Sequence, residues 1–180
     1  MITPTFEEFE SQARENAVIP VYREYLADME TPLAVFARVA DEPYAFLLES
    51  VEGGENVARY SFIGCDAREV FIARRGEVTI LAGGDRERFT PADSPIEELR
   101  RRMARFTATP TPGLPRFNGG AVGYCAYDAV RYFENIPDTT PDELEVPDLY
   151  FVFTRSLVAF DHARHRIIVI ANAHCDGRPN

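Results

Sequence analysis

Apolar and polar positions along this chain fall into short runs punctuated by glycine and proline, and the periodicity within each run predicts its conformation. Val18 to Leu26 alternates around Pro20, Val21, Tyr22 and Tyr25, which predicts a strand. Its proline, unable to donate a ladder hydrogen bond, places it near a sheet edge. Tyr44 to Val51 and Ala58 to Gly64 are apolar frames joined by a polar, glycine-bearing connection, and they predict a pair of strands. Glu69 to Arg74 and Glu77 to Leu81 flank an Arg75-Gly76 turn, and Gly83-Gly84-Asp85 marks another turn before a short strand at Phe89. Leu149 to Phe160 and Arg166 to Ala173 are the most strand-like runs, joined by the turn sequence Asp161 to His165.

Helical signals sit between these runs. Thr5-Phe6-Glu7-Glu8 fits a capping box, with a short acidic helix expected to about Asn16. Thr31-Pro32 opens a second helix, with Leu33, Phe36, Ala37 and Ala40 as its apolar stripe. Ser94-Pro95-Ile96-Glu97 starts a third, running to about Phe106 with Ile96, Leu99, Met103 and Phe106 facing inward. Asp128 can cap a short helix carrying Val130, Arg131 and Phe133. Successive hairpins with helices outside them predict an α+β fold of antiparallel sheet, not a doubly wound one. The proline-rich stretch Thr107 to Arg116 reads as a loop within one domain spanning residues 1–180, and Asn135 to Pro147 as an acidic surface loop.

Some polar residues interrupt these patterns. Glu49 and Ser50 fall where the first strand of the pair should be buried, and a buried carboxylate needs a partner or a ligand. Arg59, Tyr60 and Ser61 sit within the second strand. Gly119-Gly120-Ala121-Val122-Gly123-Tyr124 gathers small residues on a strand, which lets another backbone approach closely. Arg100-Arg101-Arg102 lies beside Glu97 and Glu98 and reads as a solvated helix face.

Composition narrows the function. The formal net charge of -10 argues against nucleic acid and anionic membrane as partners. All 19 basic residues are arginine, which excludes a Schiff-base or phosphate-loop lysine within these residues. The three cysteines, Cys65, Cys125 and Cys175, form no Cys-x-x-Cys pair and read as buried free thiols of a reducing compartment. The N-terminus lacks a basic region followed by an apolar one, so no signal peptide is expected, and Ile167 to Ala171 is too short to span a bilayer. A cytoplasmic location is the expectation. His162 and His165 near Asp161 lack a third metal ligand in sequence and read as exposed turn residues. No Ser-His-Asp order with a glycine elbow, Cys-base pair or His-Glu-x-x-His motif is present, so no catalytic set is assigned.

Leu47-Leu48-Glu49-Ser50, followed by Glu52-Gly53-Gly54-Glu55 and Arg59-Tyr60-Ser61-Phe62-Ile63-Gly64, resembles the N-terminal region of the anthranilate synthase component I family. Gly119-Gly120-Ala121-Val122-Gly123-Tyr124 and Tyr127-Asp128 are similar to a second segment of it. The resemblance implies an N-terminal regulatory and scaffolding domain, part of a β-sandwich, without the family's catalytic chorismate-binding half. It implies part of the site for L-tryptophan as feedback inhibitor, with Ser50, Glu49 and Leu48 as binding residues and Arg59, Tyr60 and Ser61 as further candidates. It implies, for the complete enzyme, chorismate as substrate, Mg2+ held by the missing half, and a glutamine amidotransferase subunit supplying ammonia. The large component of aminodeoxychorismate synthase and a free-standing tryptophan-binding module are the alternatives.

Overall fold

A computed structural model describes residues 1–49, 59–108, 110–139 and 141–175. In chain order the elements are α1 (Phe6–Gln12), β1 (Ala17–Leu26), α2 (Pro32–Ala37), β2 (Phe46–Leu48), β3 (Tyr60–Gly64), β4 (Ala67–Arg74), β5 (Glu77–Ala82) and β6 (Asp85–Phe89). There follow α3 (Pro95–Ala104), β7 (Thr107–Ala108), β8 (Gly120–Cys125), a 3-10 helix (Tyr127–Tyr132), β9 (Leu149–Thr154), β10 (Ser156–Asp161) and β11 (Arg166–Cys175). The expected α+β class is the observed one. The strands form two sheets, and the chain divides into two compact units: one of Met1–Ala67, Phe106–Gly120 and Thr154–Asn180, the other of Arg68–Arg105 and Ala121–Phe153.

The sheet of the first unit has the order β2-β3-β10-β11-β1-β7, antiparallel except for the short β1–β7 pair. β1 runs beside β11 for its whole length, with Pro20 opposite Asn172. On its other side, Val18 meets Ala108 of β7 and Tyr22 exchanges both backbone hydrogen bonds with Thr3, at 2.9 and 2.7 Å. Pro20 shares the parity of Tyr22, so its missing N–H faces the gap between these two short partners, where no donor is required. The near-edge expectation holds for that physical reason.

Helix ends follow their caps. In α1, Thr5 and Glu8 form the reciprocal capping box, with the Thr5 N–H donating to Glu8 Oε2 at 2.8 Å and the Glu8 N–H to Thr5 Oγ1 at 3.3 Å. The helix stops at Gln12, before the expected Asn16, because Ala13 is extended and Asn16 takes a φ of 62°. Thr31 caps α2 as expected, but the buried stripe differs. Val35, Phe36 and Val39 pack inward while Leu33 is exposed, since α2 meets the sheet one residue further round its axis than the spacing suggested.

The second sheet has the order β6-β5-β4-β9-β8. Its core is Phe71, Ala73, Val78, Ile80, Ala129 and Leu149, with Ile96 and Leu99 of α3 packed against it. Both hairpins close on two-residue turns with positive φ throughout: Arg75 and Gly76 at 49° and 83°, Gly83 and Gly84 at 59° and 90°. Such turns match the right-handed twist of their strands. The first is held from outside. The carboxylate Oδ2 of Asp148 accepts from the Arg75 N–H at 2.7 Å and from the Tyr132 hydroxyl at 2.6 Å, and that hydroxyl accepts from the Gly76 N–H at 3.0 Å. Burial and the bond to Asp148 push the Tyr132 hydroxyl pKa upward.

Several expectations are corrected here. Leu149 to Phe160 is two strands in different sheets, broken at Arg155. Of the supposedly solvated Arg100 to Arg102, Arg102 is buried, donating to Glu98 at 2.9 Å and Glu69 at 2.8 Å, with its guanidinium over the Phe89 ring. Met103, expected inside, is exposed, because the pair Glu98 and Arg102 occupies that face of α3. Asp128 does not cap the 3-10 helix; it accepts from Arg131 Nε at 3.0 Å, and Ala126 stands at the cap. All three cysteines are free as expected, but Cys125 is exposed and the other two only half-buried. The close approach expected at the small-residue strand occurs at Gly123, where any Cβ would fall on the Tyr150 carbonyl of β9. Among the described residues no helix is long and apolar enough to cross a membrane.

Candidate binding site

The β2–β3 hairpin sends alternate side chains to opposite faces of the first sheet. Phe46 and Phe62 join the cluster of Leu157, Ala159, Ile168 and Ile170, together with Leu114 and Phe117 from the proline-rich connection. Leu47 and Ile63 join Phe160, Ile167 and the inner side of α2. Phe46 lies opposite Gly64, and its ring occupies the space of any Cβ there, so glycine is required at that position.

On the Phe62 face the hairpin and the connection border an open cavity of ≈ 840 Å³. Leu48, Glu49, Arg59, Tyr60, Arg116 and Phe117 line it. The Phe117 ring meets Phe62 edge-on at 5.1 Å, giving an aromatic wall. One carboxylate and two guanidinium groups stand around that wall, an apolar slot with a few polar groups of the kind small-molecule sites use.

Arg59 is fixed at this rim. Its Nε–H and one Nη2–H donate to the two carboxylate oxygens of Asp161, at 2.9 and 2.7 Å, and its guanidinium lies 4.9 Å from the Tyr60 ring centre. The Asp161 side chain has no exposed surface. Burial alone would raise its pKa. The hydrogen bond from Arg59 and the charges of Arg59 and Arg166 overcome that and hold the carboxyl below its ordinary range. Arg166, with Nε 3.7 Å from Asp161, also bonds Glu24 of β1 at 2.6 Å.

Leu48, Glu49, Arg59 and Tyr60 therefore come together at one cavity. Ser61 does not join them: it is buried on the opposite face, 2.8 Å from His162 Nε2. A smaller cavity of ≈ 320 Å³ lies there, beside Glu30, Thr31 and His165. Ser50 lies outside the described residues. Glu49 is exposed, not buried as the apolar run suggested, because β2 ends at Leu48. His162 and His165 are exposed turn residues as expected, and no group of three or more metal-ligating side chains occurs among the described residues.

Sequence reasoning missed Arg116 and Phe117, hidden in a connection read as plain surface loop. The apolar pair Leu114 and Phe117 flanking a cation was the available signal. It also missed Asp161, which reads as an ordinary turn residue.

Residues 44–178 match the family of chorismate binding enzymes. The chain belongs to that family. Within the chorismate binding enzymes it is similar to anthranilate synthase component 1 of Acetivibrio thermocellus, at 40% identity over 177 residues, covering 98% of this chain and 36% of the relative. It is also similar to anthranilate synthase component 1 of Acinetobacter calcoaceticus, at 43% over 164 residues, covering 87% of this chain and 32% of the relative. The crystal structure of anthranilate synthase component I from Streptococcus pneumoniae TIGR4 shares its fold, with a TM-score of 0.56 at 24% identity, covering 87% of this chain and 33% of that one. The resemblance read from Leu47 to Gly64 is thus supported along nearly the whole chain. The chain spans about a third of the length of the curated relatives it matches.

Proposed function

We propose that this chain is the N-terminal regulatory and scaffolding segment of an anthranilate synthase component I and carries part of its L-tryptophan inhibitor site. The observation that carries the reading is the cavity where Glu49, Arg59, Arg116 and an aromatic wall converge. An α-amino acid presents an ammonium and a carboxylate a few bonds apart, and an indole needs a flat apolar slot. Glu49 suits the ammonium, the guanidinium groups suit the carboxylate, and Tyr60, Phe62 and Phe117 suit the ring. Ser50, adjacent in sequence, would add a hydroxyl.

The complete enzyme, with a glutamine amidotransferase subunit, would convert chorismate and glutamine or ammonia to anthranilate, pyruvate and glutamate in tryptophan biosynthesis. Magnesium takes oxygen ligands, usually carboxylates with water and substrate. By the family resemblance, Mg2+ and the catalytic groups would belong to the remainder of the enzyme. Tryptophan controls the reaction only by binding two arrangements of the enzyme with different affinity. The pocket described would be one wall of that site.

The test is inhibition of the complete component I carrying this segment. Ser50→Phe, by filling the slot, and Glu49→Gln, by removing a charge-assisted contact, should each raise the tryptophan concentration for half-inhibition by roughly tenfold or more. Unchanged inhibition in both variants would refute the assignment.

A further inference from the structure

We infer that Asp161 is the positioning residue of this cavity: it holds the Arg59 guanidinium so that the unused edge of the fork is presented to a ligand carboxylate. The inference rests on the cavity being an amino-acid site. It adds a residue that touches no ligand and stands 102 positions from Arg59 in sequence.

Asp161 is well placed to be immobile. β10, which it ends, is paired on both sides, by β3 and by β11, and Asp161 lies opposite Tyr60 and Arg166 in the two registers. The His162 N–H donates to the Arg59 carbonyl at 2.9 Å, so backbone and side chain of Arg59 are tied to one corner. Behind Asp161, Arg166 and Glu24 continue the row of charges across β11 to β1. A buried ion pair adds little net stability over well-packed apolar residues, and its clearest effect is to fix geometry.

The geometry also decides which donors remain. A guanidinium has five N–H groups in a rigid fork. Among the described residues two are committed to Asp161; the end-on edge, made of one Nη1 hydrogen and the second Nη2 hydrogen, is left on a residue that lines the cavity. Without Asp161 the side chain would sample many rotamers, and ordering it would then oppose binding.

The experiment uses NMR on the 180-residue chain and on Asp161→Asn, Arg59→Gln and the double variant. The Arg59 Nε–H resonance should be slowly exchanging in the wild type and lost in Asp161→Asn while the backbone amide spectrum stays dispersed. L-tryptophan affinity should fall roughly tenfold in Asp161→Asn, within the usual range of coupled residues, and the double variant should match Arg59→Gln alone. Additive loss in the double variant would mean a general structural role and would overturn the inference. An Arg59 signal unchanged by Asp161→Asn would overturn it as well. If the isolated chain bound no tryptophan, the inhibitor reading would be decided by inhibition of the complete component I, and the Arg59 signal would still decide the positioning role.

Discussion

Replacing Tyr132 by phenylalanine removes one oxygen and dismantles the support of the β4–β5 turn. The hydroxyl accepts from the Gly76 N–H at 3.0 Å and donates to Asp148 at 2.6 Å. Phenylalanine fills the same apolar space, so the effect isolates the two hydrogen bonds. The bond to a charged acceptor contributes about 1.5–3 kcal/mol, and Gly76, only half-buried, recovers part of its loss from water. The expected net cost is about 2 kcal/mol, a fall in Tm of roughly 4–8 °C for a chain of this size. Amide exchange at Arg75 and Gly76 should quicken before any global change. The tyrosine also predicts an alkaline effect. Its pKa is raised on folding, so its stabilisation is fully present below the unfolded value near 10 and is lost as pH rises toward the folded one. Wild-type urea midpoints should therefore fall above about pH 10, and Tyr132→Phe should lack that component. A variant within about 0.5 kcal/mol of wild type, with unchanged exchange at the turn, would refute the reasoning.

Three further outcomes are expected. Asp161 has a depressed folded pKa, so its stabilisation holds above the unfolded value near 4 and is lost as pH falls through the folded one; acid titration of urea midpoints should show a smaller decline in Asp161→Asn. Gly123→Val would drive a side chain into the Tyr150 backbone and should cost about 3 kcal/mol or prevent β8 from pairing, read from denaturation and from loss of β8 amide protection. Arg102→Ala leaves Glu98 and Glu69 without their shared cation and should cost about 3 kcal/mol, whereas Arg100→Ala on the exposed face of α3 should be nearly neutral.

The local code was legible wherever one short-range rule acted alone. Thr5 with Glu8, Thr31 with Pro32, and Arg75-Gly76 each specify a cap or turn from neighbouring residues, and each is found. Pro20 even indicated that β1 lies near a sheet edge. What the sequence hid was tertiary. The run Leu149 to Phe160 is uniformly strand-like, and only pairing partners decide that it splits at Arg155 between two sheets. Arg102 is indistinguishable in type from Arg100, yet Glu69, far along the chain, makes its burial tolerable. At the site, Glu49, Arg59 and Tyr60 were found through the resemblance of their phrase, while Arg116 and Phe117 reach the cavity by a fold-back that no periodicity encodes. Ser61 illustrates the limit of neighbourhood in sequence, since one step along a strand turns a side chain to the other face.

The most direct test of the central claim is an NMR titration of the 180-residue chain with L-tryptophan, mapped residue by residue. A partial site should bind weakly, with a Kd on the order of millimolar. Shifts should concentrate at Leu48, Glu49, Tyr60, Phe62 and Phe117, leave the Ser61–His162 side unmoved, and diminish in Ser50→Phe. Shifts confined to another surface would contradict the assignment of this cavity.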